Sequence, residues 1–389
     1  MHVAFVATPD LSYVSGSSLS LRYTVEALGR RGVVCTVLCQ YAPKAAPAPN
    51  VRYLELPMPL DYQVITDSTP SSSDLSACLT MLTNELAGLP GVDVVHAVYG
   101  TFTGVAAALA GALARVPVAI TTFGRDVILG AEVDDRYRRL MKIAYGYADL
   151  VIASDDTVSE LVARDYAPRA RHRVLPPGVN FALLRGVGQA ASPRSPGKRI
   201  LTVHSSFNQA KGLGVLVDAY ALLRAQIPEA ELIVVGHDDT PEKHIEAAIR
   251  RQIRERGVED GVRFLGHLTH EKVAETMTTC DVLVDPRVIN SFSSCVYEAM
   301  TLNLPVVASD RACNRDALAE GERGVLTRTG DPEDLARGIV SVLRDPAEAT
   351  ELRTAAAKHI EKAETEYGAD VVAEALHGMY TELTGTVSR

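Results

Sequence analysis

The stretch from Asp281 to Asp310, DVLVDPRVINSFSSCVYEAMTLNLPVVASD, concentrates the residues best able to do chemistry. An apolar run ends at Pro286, a polar loop of small residues follows, and a helical pattern begins near Ser294. Ser291-Phe292-Ser293-Ser294 therefore falls at a loop-to-helix junction. The first amides of a helix lack intrahelical acceptors, and the positive end of its dipole favours an anion. The amides from Ser293 to Cys295 are the expected anion donors, and the hydroxyls of Ser293 and Ser294 can also cap the helix. Glu298 lies one turn further along, on the face of Ser294. A carboxylate there suits the two hydroxyls of a ribose whose phosphate sits at the helix start. The acidic pairs Asp134-Asp135, Asp155-Asp156 and Asp238-Asp239 read as helix-start or turn acids. No Asp-x-Asp pattern stands out, so no metal is expected.

The first half of the chain offers weaker candidates. In Ser15-Gly16-Ser17-Ser18, between a first strand and a first helix, Gly16 permits close backbone approach to a phosphate or a sugar. His96 closes the run DVVHA. It is open to two readings, a catalytic group or a buried histidine with its hydrogen bonds met.

These segments need a frame. Short β-branched runs at His2 to Ala7, Val33 to Leu38, Val94 to Val98, Pro117 to Thr121 and Leu150 to Ala153 read as strands. Leu21, Val25 and Leu28 mark one helix face between the first two. The rhythm resumes with strands at Ile200 to Val203, Leu232 to Val235, Val262 to Leu265, Asp281 to Val284, Pro305 to Ala308 and Gly324 to Thr327. Such alternation implies parallel sheets covered by helices on both faces. Between the two series, Gly186 to Lys198, GVGQAASPRSPGK, carries too little apolar surface to order strongly and is expected to be a linker. The expected organisation is a first domain over 1–185, a linker over 186–198 and a second domain over 199–368, with a terminal helix over 369–389 rejoining the first. Ligands of open α/β sheets collect outside the carboxyl ends of the strands.

Length and charge narrow the classes. A chain of 389 residues suits two domains, each with its own core. An apolar content of 47% marks it as globular. The net charge is −9, and the first 180 residues carry 15 basic and 17 acidic side chains. Neither is a basic footprint for nucleic acid or anionic lipid. The opening MHVAFVATPD lacks the positive region and cleavage site of a signal peptide. Arg115 and Pro117 interrupt the most apolar long stretch, Gly104 to Thr122, which fits a helix and a strand better than a membrane span. The six cysteines show no CxxC pairing and fit reduced thiols of a cytoplasmic protein.

The 281–310 segment resembles the signature of the large retaining GT-B glycosyltransferase family that includes sucrose-phosphate synthases and mannosyltransferases, P-S-x-x-E-[GS]-F-[GS]-x-x-x-x-E-A-M-A-x-G-x-P-V-V-A. Pro286, Ser291, Phe292, Ser293, Glu298, Ala299, Met300, Pro305, Val306, Val307 and Ala308 fall in register. Asn290 stands at the first acidic position, where the family's Glu contacts the donor sugar. A neutral hydrogen bond contributes about 1 kcal/mol against roughly 1.5–3 for a charged one, so the change is expected to retune sugar preference. Leu201 to Tyr220 resembles the family's G-R-x-x-x-x-K-G, whose Arg and Lys grip the donor diphosphate. Lys211 and Gly212 match, whereas Ser205 and Ser206 replace the Gly and the Arg, which removes one cation. Val235-Gly236-His237 and Gly266-His267-Leu268 each follow a strand, and in the family the backbone around the second meets the nucleobase. His237 and His267 are equally readable as exposed turn residues. In the first domain Ser15 to Ser18 corresponds to the family's Gly-rich loop. Thr121 to Val127, TTFGRDV, resembles T-x-H-G-x-D-V, with Phe123 in place of a His that helps position the donor sugar. Asp126 then becomes the expected sugar or acceptor contact. Pro177 to Asn180 resembles the family's N-G-V-D turn.

The resemblance implies an α/β, GT-B architecture of two Rossmann-like, doubly wound domains facing across a cleft. It implies a retaining, metal-independent glycosyltransferase that uses a nucleoside-diphosphate sugar, UDP by family frequency, and no cofactor. The catalytic candidates are Lys211, Asp126 and His96. The donor candidates are Gly16, Ser205, Ser206, Lys211, Gly236, His267, Leu268, Asn290, Ser293, Ser294, Cys295 and Glu298. Ser17, Phe123 and Asp126 are the acceptor candidates. A departing phosphate oxygen is implied to take the acceptor's proton. The first domain has no basic excess, which favours a small soluble acceptor such as a cyclitol or an aminoglycoside-type antibiotic precursor, with no nucleic acid and no stable membrane insertion. Neither G-x-G-x-x-G nor GxxxxGK[ST] is present, which argues against a nicotinamide dehydrogenase and a P-loop enzyme. The serious alternative is a non-catalytic nucleotide-sugar-binding partner protein, because Asn290, Ser206 and Phe123 replace charged or titratable family residues.

Overall fold

The computed structural model describes residues 1–7, 11, 15–57, 71–128, 135–167, 169–192, 197–238, 243–289 and 292–387. Two compact units emerge. One comprises Met1–Tyr13, Ser17–Gly178 and Tyr367–Arg389, and the other Val14–Gly16 and Val179–Glu366.

The first unit holds seven strands: β1 (His2–Val6), β2 (Val34–Cys39), β3 (Val51–Glu55), β4 (Val94–Val98), β5 (Val118–Thr122), β6 (Leu150–Ala153) and β7 (Arg171–Val174). They form one sheet in the order β3-β2-β1-β4-β5-β6-β7, with every pair parallel. Period-two alternation fills both faces. From β1, Ala4 and Val6 enter one core, beneath the helices Phe102–Ala114 and Asp135–Gly146. Val3 and Phe5 enter the other, beneath Gly16–Arg30 and the terminal helix Ala369–Val387. That terminal helix is fastened at its start by Arg30–Asp370 and Arg31–Glu374, at 3.0 and 2.9 Å. Further along, the buried Tyr380 hydroxyl meets His96.

The second unit holds six strands: β8 (Arg199–Val203), β9 (Glu231–Val235), β10 (Val262–Gly266), β11 (Val282–Asp285), β12 (Val306–Ser309) and β13 (Val325–Thr327). Their order is β10-β9-β8-β11-β12-β13, again all parallel. Its core joins these strands to the helices Leu213–Arg224 and Pro332–Arg344. Strand order reverses between β8 and β11. At such a switch point the connections leave in opposite directions and open a crevice beyond the strand ends.

The expected 186–198 linker differs from the structure. Phe181–Ala190 is a helix of the second unit, and the chain passes between units at Gly178 and Val179. Asn180 caps it, its Oδ1 accepting from the Leu183 amide at 3.1 Å. Phe181 and Leu184 are buried, and the helix packs against His270–Thr279 and Ser294–Thr301. Burial of that face outweighs the low propensity of Gly186 and Gly188. Of the expected linker, 193–196 lie outside the described residues.

Candidate functional site

The switch point of the second unit brings two loops together. One follows β8 and contains His204 to Gly212. The other follows β11, from Pro286 to the helix Ser294–Thr301. Gln209–Lys211 is a single 3-10 turn that Gly212 closes in the left-handed region at φ 69°. This turn docks on the second loop, where the Val288 amide donates to the Ala210 carbonyl at 2.9 Å. A Cβ on Gly212 would lie 1.9 Å from the Pro286 carbonyl oxygen. Glycine is thus required here twice over, for its φ and for the contact. Lys211 is thereby carried to the side of the β11 loop.

Phe292 leads into the helix stacked on Tyr297, with centroids 5.3 Å apart and planes 12° apart. Ser293 is the N-cap residue, but its hydroxyl contacts the Cys295 sulfur at 3.1 Å and makes no cap bond. The side-chain capping expected of it is not formed, and of the first-turn amides that of Val296 donates instead to the Ser293 carbonyl at 3.2 Å. The Cys295 thiol is pushed up to about 12, chiefly by burial, and stays protonated. Asn290 and Ser291 lie outside the described residues.

Glu298 is 5% exposed, and its Oε1 lies 3.3 Å from His270 Nε2. Burial drives the carboxyl toward its neutral form. His270, a hydrogen bond from Ser294 and the charge of Arg287 more than offset that, so the group sits below the usual carboxylate range. Beside β8, His204 Nε2 meets the Thr202 hydroxyl at 2.9 Å. Burial first, then the charges of Lys211 and Arg287, hold its imidazole neutral. Arg287 spans the β11 loop, its Nε 3.0 Å from Asp285 Oδ1 and its Nη1 donating to the Phe292 carbonyl at 3.2 Å.

Several of the remaining donor candidates lie at the ends of β8, β9 and β10. Ser205 is half-buried and Ser206 buried, immediately after His204. At Gly236, φ is +125° and a Cβ would lie 2.3 Å from the His204 carbonyl oxygen, so the ends of β8 and β9 touch through backbone. The rings of His237 and His267 meet edge to face with centroids 5.3 Å apart, and Leu268 follows, half-buried. Asp238 is a turn acid whose Oδ2 accepts from the Glu246 amide at 2.8 Å. Gly16 and Ser17 open the helix Gly16–Arg30, the former exposed and the latter half-buried.

In the first unit Asp126 is paired internally. It is 2% exposed. Its oxygens accept from the Gly100 amide (2.9 Å), the Tyr145 hydroxyl (2.6 Å) and the Thr122 hydroxyl (2.5 Å). Through these three donors the carboxylate ties β5 to Gly100 and Tyr145. His96 takes the second of its two readings. Its ring nitrogens meet Tyr380 and Thr121, at 2.5 and 2.8 Å, and burial lowers its pKa to about 3. Phe123, half-buried, meets Tyr99 edge to face and lines a small cavity with His96, Thr121 and Leu376. Among the described residues, no group of three or more His, Cys, Asp or Glu is placed to hold a metal ion, and no helix is long and apolar enough to cross a membrane.

Residues 189–359 match the family described as glycosyl transferases group 1, and 15–178 match the glycosyl transferase 4-like domain. The chain belongs to the GT-B glycosyltransferase family. Sucrose-phosphate synthase of Thermosynechococcus elongatus shares this chain's fold, at TM-score 0.81 and 22% identity over 99% of this chain and 100% of that one. The phosphatidyl-myo-inositol mannosyltransferase of Mycobacterium leprae (strain TN) is 32% identical over 172 residues, 44% of each chain. A D-inositol 3-phosphate glycosyltransferase of Pseudarthrobacter chlorophenolicus is 24% identical over 97% of this chain and 93% of that one. The matched part spans about half the length of the first curated relatives, 44% and 58% for two of them.

Sequence reasoning did not single out Arg287, His204 or His270. Arg287 carried a signal, because it occupies the signature's Ser position directly after Pro286. His204 and His270 carried none, since only the folded unit brings them to the loop and to Glu298.

Proposed function

We propose that this glycosyltransferase family member moves a sugar from a nucleoside-diphosphate sugar, UDP first among the nucleotides, to a small hydroxylated acceptor with retention at the anomeric carbon. The observation that carries the reading is the docking of the Lys211 turn against the loop that ends in the uncapped Ser294–Thr301 helix, with ionised Glu298 one turn inside. The hard step is departure of a diphosphate while positive charge develops on the sugar. Fixed donors aimed at that charge are the largest available term. Lys211 and the amides of the helix start supply them. Glu298 suits the ribose hydroxyls. A departing phosphate oxygen accepts the acceptor's proton, so no protein base is needed, in keeping with the internal pairing of Asp126 and His96. With the leaving group's charge met in this way, no metal is required, and turnover should persist in chelator.

The acceptor is proposed to be a soluble cyclitol or cyclitol phosphate. The relatives named D-inositol 3-phosphate glycosyltransferases support that choice. Incubation of the protein with UDP-, GDP- and ADP-sugars, with and without inositol or inositol phosphate, tests the reading. An α-linked product from an α-configured donor is expected. Binding of donor without transfer or hydrolysis under any of these conditions would instead establish a non-catalytic binding protein.

A further inference from the structure

We propose that Arg287 is the second cation of the diphosphate site, replacing from the β11 loop the arginine that Ser206 lacks on the β8 loop. The proposal rests on the donor-site reading above and adds a residue to it.

Arg287 and Lys211 belong to loops that are fastened to one another, by the Val288 amide on the Ala210 carbonyl and by the contact of Gly212 with Pro286. Both charges act on the same buried imidazole, His204, whose Nδ1 has no hydrogen-bond partner among the described residues. Two cations and an unpaired ring nitrogen therefore converge at the end of β8.

A purely structural part accounts poorly for Arg287. Its side chain is 12% exposed, and Asp285 beside it is 2% exposed. Among the described residues Asp285 Oδ2 has no hydrogen-bond partner, and Arg287 Nε faces Oδ1 without forming a well-aligned hydrogen bond. A buried ion pair with unmet hydrogen bonds is a weak stabiliser compared with apolar packing. A guanidinium has five N–H donors. Among the described residues, Nη1 has one oxygen partner, the Phe292 carbonyl, and Nη2 has only the Cys295 sulfur, at 3.8 Å. Burial weakens the guanidinium's hold on its proton, but Asp285, then Cys295 and Cys313, raise it by more, so the group stays cationic. Among the described residues only one of these five donors meets an oxygen acceptor with hydrogen-bond geometry, which leaves N–H groups for a doubly accepting anion, for which a phosphate is the natural partner. The anion would sit between Arg287, Lys211 and the first amides of Ser294–Thr301.

The test is calorimetric titration of the full chain with UDP, GDP and ADP, then of the tightest of these beside its nucleoside monophosphate and its nucleoside. Arg287→Ser is expected to weaken the diphosphate tenfold or more while leaving the nucleoside within twofold. Adding Ser206→Arg to that variant is expected to restore at least half of the lost affinity on a logarithmic scale. Should Arg287→Ser lack a cooperative thermal transition, Arg287→Lys replaces it, with an expected threefold or greater loss confined to the diphosphate. Equal binding of the diphosphate before and after substitution would overturn the assignment. So would a parallel loss of diphosphate and nucleoside, because that is the signature of a disordered loop. If the unaltered chain binds none of the three diphosphates, the donor reading itself fails, and this one with it.

Discussion

The Glu298 carboxylate and the His270 imidazole approach to 3.3 Å inside the second unit, joining the start of the helix His270–Thr279 to the second turn of Ser294–Thr301. One helix thus positions the polar group presented by the other. The carboxyl is held below its usual range, so the folded state prefers it ionised. Its contribution to stability is full above the ordinary glutamate value near 4.5 and is lost as pH falls through the lower folded value. Glu298→Gln should remove this acid-side loss. Urea midpoints for the two proteins between pH 7 and pH 3 check it, and equal slopes would contradict it. His270→Gln should weaken nucleoside diphosphate binding through Glu298, by about tenfold.

Lys211→Ala should lower turnover about 100-fold or more, because it removes a fixed charge aimed at the leaving group. Lys211 lies in a half-buried surface turn, so the thermal midpoint should change little. Steady-state rates beside a melting curve decide whether the loss is chemical.

Gly212→Ala should destabilise the second unit by about 2 kcal/mol or more. The new Cβ meets the Pro286 carbonyl at 1.9 Å, and the left-handed φ of 69° disfavours any side chain. Denaturant titration measures the cost, and nucleotide binding should fall with it as the Lys211 turn leaves the β11 loop.

His96, with its pKa lowered to about 3, titrates near 6.5 once unfolded. The unfolded chain then binds the extra proton first. The stability owed to neutral His96 is complete above about pH 6.5 and declines as pH falls from there toward 3. His96→Phe should flatten stability between pH 7 and pH 5. Tyr380→Phe, which strips one ring nitrogen of its partner, should cost about 1–3 kcal/mol. Both variants should retain more turnover than Lys211→Ala. A His96→Phe enzyme as inactive as the lysine variant would return His96 to the chemistry.

Asp126→Ala should destabilise the first unit by about 3 kcal/mol or more, since it strands the Gly100 amide and the Thr122 and Tyr145 hydroxyls together in the core. Asp126→Asn keeps the acceptor oxygen at one position and should fall between. Loss of activity in step with unfolding, and not beyond it, is the expected pattern.

The amino-acid sequence by itself determined what depends on near neighbours. Continuous apolar runs such as His2 to Ala7 and Pro305 to Ala308 mark strands that must be buried on both faces. The change from a loop to a helical pattern near Ser294 marks the helix start where the anion site is proposed, because free amides are a property of any helix start. Strands β3 and β7 escaped notice because, at their sheet edges, few of their residues are buried and apolar. Arg171–Val174, RHRV, is largely exposed and keeps no apolar period. The glycines of Gly186 to Lys198 suggested a linker, and the helix Phe181–Ala190 formed because Phe181 and Leu184 found a buried place against distant helices. Tertiary structure alone decided the pairs. His96 meets Tyr380 across 284 residues, and Glu298 meets His270. Asp126 is absorbed by Gly100 and Tyr145. The Arg287 and Lys211 loops are brought together by strands β8 and β11, which pair across some eighty residues of intervening chain. A local pattern fixes which face of an element is apolar. Which polar group waits on the facing element depends on sheet order and on the requirement that buried donors and acceptors find one another.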